Sequence, residues 1–302
     1  MKVLVASSSL VAKPVVDWLV GSSHSLVGVL TAPDAPKGRG QQVSENDFAH
    51  LAHSYSIPVF KARNNEEIRE TIEKTQADIV ITAAYGRMIR EPELTQPHYG
   101  WLNIHFSLLP RWRGASPVQR AIENDDPVTG VTVFRLDKGM DTGPIYSSSS
   151  YAMQGDESTT SLLRALSELA VTTVVEALEK IENGVPPTAQ SESGITLAPK
   201  ISKDEGKINW RQSSSEIERK VRAFSPWPTA WSLLNDSRIS IISARTSTLS
   251  LSPGEIFVKD GVLVGCGVGS LELLEVKAEG KRAMPAMDWL RGARINESAH
   301  FE

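Results

Sequence analysis

The sequence contains very little cysteine, and this scarcity limits the kinds of protein that it can encode. Its 302 residues include one cysteine, Cys266, so the chain can form no intramolecular disulfide and offers no pair of thiols to a metal. A chain without a disulfide framework fits a reducing compartment, and we expect the cytoplasm. We expect Cys266 to be a strand residue without a catalytic role.

Long hydrophobic runs are also missing. No stretch approaches the roughly 18 apolar residues that span a bilayer, and the N-terminus starts with a strand-like run where a secretory leader would stand. With 40% hydrophobic and 23% charged residues, the composition is typical of a globular protein. We therefore expect no membrane partner, and nothing in the sequence indicates an obligate protein partner.

Three common catalytic motifs are absent. The first strand runs into Ser7–Ser9, without the G-x-G-x-x-G spacing that lets a backbone approach a dinucleotide. His-Glu-x-x-His and Cys-x-x-Cys patterns do not occur, and His50 and His53 are typical of a helix surface, so we expect no metal. The Gly-x-Ser-x-Gly elbow of acyl-serine hydrolases is missing too.

Short apolar runs alternate with helix-like segments through the first half of the chain. Val3–Val5, Leu26–Leu30 and Ile79–Thr82 are typical of buried strands, with helical patterns at Val11–Val20 and Phe48–Tyr55 between them. This alternation predicts an α/β fold with a doubly wound, mostly parallel, Rossmann-like sheet. Ligands of such sheets bind beyond the carboxyl ends of the strands, so we expect the site in those loops.

Further along, the pattern predicts more elements and then a boundary. We expect a strand at Trp101–Ile104, a long helix at Ser158–Ile181 and a shorter helix at Glu216–Phe224. Residues 184–199 hold two glycines and three prolines without a hydrophobic period, which is typical of a linker. The sequence therefore predicts a catalytic domain over 1–183, a linker over 184–199 and a small β-barrel domain over 200–302.

Two segments carry side chains suited to acyl chemistry. Asn103 and His105 alternate on a predicted strand and so share one face, and Asp141 lies in a glycine-rich turn between two apolar runs. Taken singly, a strand histidine is more often structural and a turn aspartate more often a turn former. Together they fit an amine attacking a carbonyl: Asn103 stabilises the negative oxygen, His105 moves protons, and Asp141 favours a cationic imidazole.

At these residues the chain resembles the folate-dependent formyltransferases, which share an Asn-x-His strand, a Ser-Leu-Leu-Pro loop and an Asp-Thr-Gly turn. The resemblance is strongest to members that formylate methionyl initiator tRNA, through Thr31–Gly40, Ala84–Ile89 and Pro110–Pro117. It continues into the second domain through Gly206–Trp210 and Val221–Ala230, and so covers nearly the whole chain. A formyltransferase fold followed by an OB-like, tRNA-binding domain is therefore expected.

The resemblance implies a reaction and its site residues. It implies formyl transfer from 10-formyltetrahydrofolate to the α-amino group of methionyl initiator tRNA, for translation initiation, without a covalent enzyme intermediate. The catalytic set would be Asn103, His105 and Asp141. The folate would bind beside the loop that consists of Ser107, Leu108, Leu109 and Pro110.

The expected RNA contacts lie in both domains. The family uses a loop after the second strand to engage the tRNA acceptor end, which implies roles for Lys37 and Arg39. Lys203, Lys281 and Arg282 would follow the nucleic-acid backbone from the second domain. The formal net charge is −4, and residues 200–302 hold 15 basic against 13 acidic residues, an asymmetry that scattered solvated charges would also produce.

Two departures from the family pattern are visible. Ser7–Ser9 stand where a Gly-Thr-Pro-like turn is usual, and Val43–Asp47 replace a basic continuation with acidic residues. Both lie away from the catalytic positions. The second concerns how the loop meets RNA.

Four alternatives remain open at this stage. An amino-sugar formyltransferase would carry the same three catalytic residues in two domains. A glycinamide ribonucleotide transformylase would be shorter, and a hydrolase of the formyl folate would need no second domain. A catalytically silent folate- or RNA-binding protein would bind its ligands without turnover.

Overall fold

The computed structural model describes residues 1–37, 42–293 and 299–302, and the chain divides into two units. The first unit consists of 1–114, 128–152 and 163–197, and the second of 115–127, 153–162 and 198–302. Most of the predicted linker, up to residue 197, therefore packs with the first unit. The domain boundaries at 183 and 200 stay a prediction.

The first part of the chain alternates strands with helices. Its helices are α1 Lys13–Val20, α2 Asp47–Ser54, α3 Asn65–Thr75, α4 Pro117–Glu123 and α5 Thr159–Glu182. Its strands are β1 Lys2–Ser7, β2 Ser25–Thr31, β3 Ala35–Lys37, β4 Gln42–Ser44, β5 Val59–Lys61, β6 Ile79–Ala83, β7 Trp101–His105, β8 Arg113–Gly114, β9 Val128–Arg135, β10 Ile145–Ala152 and β11 Leu197–Ala198.

Seven of these strands form one sheet in the order β10-β9-β7-β6-β1-β2-β5. The five strands from β7 to β5 run parallel, whereas β9 and β10 are antiparallel to their neighbours. Sequence neighbours that lie apart in this order require crossover connections, which the helices provide. The predicted mostly parallel, Rossmann-like sheet is confirmed.

The centre of this sheet is buried on both faces. Leu4 and Ala6 of β1 lie in a fully buried cluster with Ile68 and Ile72 of α3. The alternate residues Val3 and Val5 point to the other face and are also fully buried. A strand buried on both sides reads as a continuous apolar run, which is why β1 and β6 carry so few polar residues.

The second unit combines short helices with an antiparallel sheet. Its further elements are α6 Ser214–Ala223, β12 Ala230–Leu234, β13 Ser237–Ser247, β14 Ile256–Val258, β15 Val262–Gly265, β16 Ser270–Ala278, β17 Met284–Pro285 and α7 Ala286–Ala293. The strand order is β12-β13-β16-β15-β14, and β17 pairs with β16. The predicted β domain is confirmed as an antiparallel sheet, and its closure into an OB-like barrel stays a prediction.

The local sequence explains where α6 begins. Ser213 caps the helix, because its hydroxyl accepts the N–H of Glu216 while the Glu216 carboxylate accepts the N–H of Ser213. Ile217 and Val221, one helical turn apart, place the apolar face of α6 in the core of the second unit.

Cys266 lies directly after β15 in the same core, and burial raises the pKa of its thiol to about 11.

The longest helix, α5, has 24 residues and carries polar side chains throughout, including Ser167, Glu168 and Lys180. Its apolar side chains lie at helical spacing, and Leu162, Leu166 and Ala170 are fully buried. Among the described residues, no helix has both the length and the apolar character that crossing a membrane requires.

Gly130 in β9 provides a test of how closely the sheet packs beside the Ser107–Pro110 loop. A Cβ at this position would lie 2.2 Å from the Ser149 carbonyl oxygen and 2.7 Å from Cδ2 of Leu108. We expect Gly130→Ala to destabilise the protein by about 1–3 kcal/mol, because neither the neighbouring strand nor the loop has room to shift freely. Thermal unfolding followed by calorimetry measures the change. Gly21→Ala is the control, because its Cβ would meet nothing nearer than 3.8 Å, and equal unfolding midpoints for both variants would contradict the packing argument.

Candidate active site

Strand β7 carries two of the three residues predicted to be catalytic. Asn103 and His105 lie two positions apart near its carboxyl end, so their side chains share one face. His105 is buried and Asn103 is half-buried. Within the described part of the chain, no group forms a hydrogen bond with the Asn103 side-chain amide. This amide can therefore donate to a ligand.

The backbone of Trp112 determines which nitrogen of His105 carries a proton. Nε2 lies 2.8 Å from the Trp112 carbonyl oxygen. A carbonyl oxygen can only accept a hydrogen bond, so Nε2 must donate. In the neutral ring, Nδ1 is then the unprotonated nitrogen and can accept a proton from a reacting group.

Asp141 approaches the other side of the imidazole. Its Oδ2 lies 3.7 Å from Nδ1 of His105 and accepts the backbone N–H of Gly114 at 2.7 Å. Asp141 has φ of 53°, in the left-handed region that aspartate tolerates better than most side chains. The structure thus brings Asp141 close to His105, which precedes it by 36 positions and lies on the strand that also carries Asn103.

The same loop contains a second carboxylate with a different role. Oδ1 of Asp137 accepts the Gly139 N–H at 2.9 Å and the Thr142 hydroxyl at 2.7 Å. These hydrogen bonds are those of a turn-forming aspartate. Asp137 therefore shapes the loop, whereas the carboxylate of Asp141 faces His105.

Burial and charge act on His105 in opposite directions. Burial has the larger effect and lowers the pKa of the imidazole, while Asp141 and the hydrogen bond to Trp112 raise it. The predicted effect of Asp141 is present, but the pKa remains below its ordinary value. The balance of these effects favours the neutral imidazole, whereas the sequence suggested a cation held by Asp141.

The Ser107–Pro110 loop is anchored by internal hydrogen bonds. Ser107 is fully buried and donates its hydroxyl to the Arg111 carbonyl at 2.6 Å. The buried Thr132 hydroxyl donates to the Ser107 carbonyl at 2.7 Å and accepts the Leu109 N–H at 3.1 Å. The Ser107 hydroxyl thus stabilises the turn that leads to Trp112. Donor binding by this loop stays a prediction.

A cavity of about 760 Å³ lies in the first unit beside the loop that carries Asp141. It is lined by Glu91, Leu94, Thr95, Pro97, His98, Tyr99, Gly100, Arg135, Leu136, Asp137, Lys138, Gly139, Pro144 and Tyr146. Its volume is within the range of small-molecule pockets, about 300–1,000 Å³. The predicted folate loop and catalytic residues do not contribute to its lining.

Among the described residues, no three histidine, cysteine or carboxylate side chains gather as a metal site.

In the segment predicted to meet the tRNA acceptor end, the described residues form two paired strands, which we call the hairpin. Strands β3 and β4 pair antiparallel, with Lys37 opposite Gln42. Arg39 lies outside the described residues. Glu45 pairs with Lys61 at 2.7 Å, and Asn46 accepts the Ala49 N–H to cap α2. The acidic residues of Val43–Asp47 thus have structural roles: Glu45 pairs with Lys61 just after β4, and Asp47 lies in the first turn of α2.

The predicted RNA contacts of the second unit are exposed. Lys203 lies before α6, and Lys281 and Arg282 lie in the turn between β16 and β17. No carboxylate of the described residues pairs with any of the three. Their side chains are available to an anionic partner, and their role in tRNA binding stays a prediction.

The sequence did not indicate the backbone groups that orient the site. The Trp112 carbonyl and the Gly114 N–H contact His105 and Asp141. A backbone atom is present at every position, so residue type alone carries no signal for such a contact. The positive φ of 61° at Trp112 also depends on the folded loop.

Comparison with known proteins gives a consistent result over the whole length. Sequence models for formyl transferase and for the formyl transferase C-terminal domain match residues 1–178 and 200–294, respectively. The chain is 38% identical to the methionyl-tRNA formyltransferase of Acidothermus cellulolyticus, over 100% of both chains.

Solved structures with lower identity share the fold. HypX from Aquifex aeolicus, in complex with tetrahydrofolic acid, gives a TM-score of 0.70 at 21% identity, over 96% of this chain and 47% of HypX. The N-formyltransferase from Helicobacter canadensis, in complex with folinic acid and dTDP-3-aminofucose, gives 0.69 at 18% identity, over 90% of this chain and 98% of that one. At these identities the likeness concerns the fold alone.

The opposing effects on His105 can be separated by substitution at Asp141. We expect Asp141→Asn to lower the pKa of His105 further, because the negative charge that favours the imidazolium is removed while burial remains. An NMR titration of the His105 ring resonances measures this shift. Asp137→Asn is the matched control: it removes a carboxylate from the same loop but keeps an Oδ1 acceptor for Gly139 and Thr142. A pKa that rises, or that moves equally in both variants, would contradict the assigned geometry.

Proposed function

The chain belongs to the formyl transferase family, and from that premise we propose that it transfers the formyl group of 10-formyltetrahydrofolate to the α-amino group of methionyl initiator tRNA. The observation that carries the proposal is the placement of His105 between the Trp112 carbonyl and the Asp141 carboxylate, on the strand that presents the unpaired Asn103 amide. Similarity over the full length of a methionyl-tRNA formyltransferase supports the acceptor. The cytoplasm is the proposed compartment.

Asn103 acts on the formyl oxygen in this proposal. Attack by the amine places negative charge on that oxygen, and a donor that is already oriented stabilises the charge more than water does. The Asn103 amide fits this role because no group of the described residues uses it. An internally hydrogen-bonded amide would have to break that bond first.

His105 moves the proton from the attacking nitrogen to the leaving nitrogen. As the new C–N bond forms, the amine nitrogen becomes acidic, and Nδ1 of the neutral imidazole accepts its proton. The imidazolium then returns that proton to the folate nitrogen as the old C–N bond breaks. The ring ends neutral, so each turnover leaves the enzyme unchanged.

Asp141 stabilises the imidazolium while it exists. Its carboxylate, 3.7 Å from Nδ1, raises the proton affinity of the ring at the moment when the proton arrives. Burial opposes that protonation and keeps the resting imidazole able to accept. The α-amine of the acceptor, with an ordinary pKa of about 8, supplies a substantial neutral fraction at physiological pH.

The first unit also offers space for a folate. The cavity of about 760 Å³ shares Asp137, Lys138 and Gly139 with the loop that presents Asp141. A ligand held there would lie against the catalytic loop, and both apolar and charged side chains line the space. We propose this cavity as part of the donor site, next to the loop that carries Asp141.

The proposed reaction is tested by formyl transfer with purified enzyme, 10-formyltetrahydrofolate and methionyl initiator tRNA, beside an amino-sugar nucleotide and water alone as acceptors. We expect transfer to the tRNA, and alanine at Asn103, His105 or Asp141 should lower kcat about 10²-fold or more, because these groups act in the transition state. The affinity for tRNA should change little. Asn183→Ala, an exposed amide in the first unit, is the control. Transfer only to the sugar nucleotide, or hydrolysis alone, would overturn the tRNA assignment.

The basic side chains predicted to hold RNA are tested by the salt dependence of tRNA binding. We replace Lys203, Lys281 and Arg282 together by alanine. The fall of log affinity with log salt should then become less steep, by about 0.7–0.9 for each phosphate that the variant no longer neutralises. Arg39→Ala should lower kcat/KM by misplacing the acceptor end. Lys259→Ala, an exposed lysine of the second unit, is the control. A slope that stays at its wild-type value would refute the roles of the three basic residues.

A further inference from the structure

The segment predicted as a linker contacts both loops that touch His105. Gln190 lies in this segment and is half-buried, whereas its neighbours from Ser191 to Ile195 are exposed. Its Nε2 donates to the carbonyl oxygens of Asp141 and Gly143, both at 2.8 Å. Its Oε1 accepts from Nε and Nη2 of Arg113, at 3.1 and 2.7 Å. One side-chain amide thus joins the Asp141 turn to the residue that follows Trp112.

We propose that Gln190 is a positioning residue, which fixes the carboxylate of Asp141 against His105 by holding the backbone of the Asp141 turn. This inference rests on the proposed function, because it assigns Gln190 to the same reaction. Gln190 does not touch the reacting atoms. It acts through the loops that carry Asp141 and the Trp112 carbonyl.

The Asp141 turn needs external support because its backbone is unusual. Asp141 has a left-handed φ of 53°, and glycines stand on both sides of it at Gly139 and Gly143. Such a turn has many accessible conformations when it is free. The two hydrogen bonds from Gln190 fix the direction of the carbonyl groups on either side of Thr142. The carboxylate then keeps its 3.7 Å separation from Nδ1.

The other end of the segment holds the Trp112 loop. Thr196 accepts the Trp112 N–H on its hydroxyl oxygen at 2.9 Å and the Arg113 N–H on its carbonyl oxygen at 2.9 Å. Trp112 is the residue whose carbonyl accepts from His105 Nε2. The start of the segment is anchored by Thr188, which exchanges two backbone hydrogen bonds with Ile145. Both partners of the imidazole are therefore tied to residues 188–196.

Glutamine is suited to this position because it combines donors and an acceptor. Two carbonyl oxygens on one side require N–H donors, and a guanidinium on the other side requires an acceptor. Glutamate would keep the hydrogen bonds from Arg113 but would offer no donor to the Asp141 turn. Methionine has a similar length and no charge, and it would form neither set of hydrogen bonds.

Gln190→Met and Gln190→Glu test the proposal in the full-length enzyme, with Glu192→Gln, an exposed change in the same segment, as control. We expect both Gln190 variants to lower kcat about 10–100-fold with KM for the folate nearly unchanged, because a misplaced Asp141 affects chemistry more than binding. The pKa of His105, measured by NMR in Gln190→Met, should fall, since the carboxylate that raises it is held less closely. The unfolding temperature should remain close to wild type.

Three results would overturn the proposal. One is wild-type kcat in Gln190→Met. Another is wild-type kcat in Gln190→Glu, since that variant lacks the donors to the Asp141 turn. The third is a drop in kcat that follows a drop in thermal stability while the pKa of His105 stays unchanged, as a purely structural role would give. The NMR measurement needs no turnover, so failure of wild-type enzyme to formylate tRNA would count against the proposed function alone.

Discussion

The hydrogen bond from Nε2 of His105 to the Trp112 carbonyl is the interaction on which the site depends. A ring with two equivalent free nitrogens could present either tautomer, but a carbonyl partner leaves only one. Nδ1 is consequently the unprotonated nitrogen of the neutral ring, and it faces Asp141. Other parts of the structure support this contact. Strand β7 carries His105, the Ser107–Pro110 loop leads to Trp112, and the Thr196 hydroxyl accepts the Trp112 N–H.

The electrostatic state of the site results from two opposed effects. Burial at the end of β7 lowers the pKa of the imidazole and favours its neutral form, and the nearby carboxylate keeps the pKa from falling further. A general base needs this balance, because it must be unprotonated at rest and still accept a proton during the reaction. The 3.7 Å separation of Nδ1 and Oδ2 leaves Asp141 close enough to stabilise the imidazolium without occupying Nδ1 in a direct hydrogen bond.

The acidic stretch after the hairpin shows how a charge pattern can have a local cause. The sequence suggested that Val43–Asp47 alter the way in which the hairpin meets RNA. In the structure, Glu45 pairs with Lys61, and Asn46 and Asp47 begin α2. A carboxylate in the first turn of a helix is stabilised by the helix dipole. The negative charge of this stretch therefore has a structural explanation that involves no ligand.

The sequence by itself determined the fold class, several elements to within a few residues and the family. The long helix α5 and the strand β7 were predictable because burial imposes a hydrophobic period on the residues that form them. Helix α3 was not predicted, since Ile68 and Ile72 are its only large apolar residues. Asn103, His105 and Asp141 could be proposed as catalytic residues because amide, imidazole and carboxylate groups suit acyl chemistry. Tertiary structure alone decided the tautomer of His105, the different roles of Asp137 and Asp141, and the contacts of Gln190, because each depends on backbone groups that only the folded chain brings together.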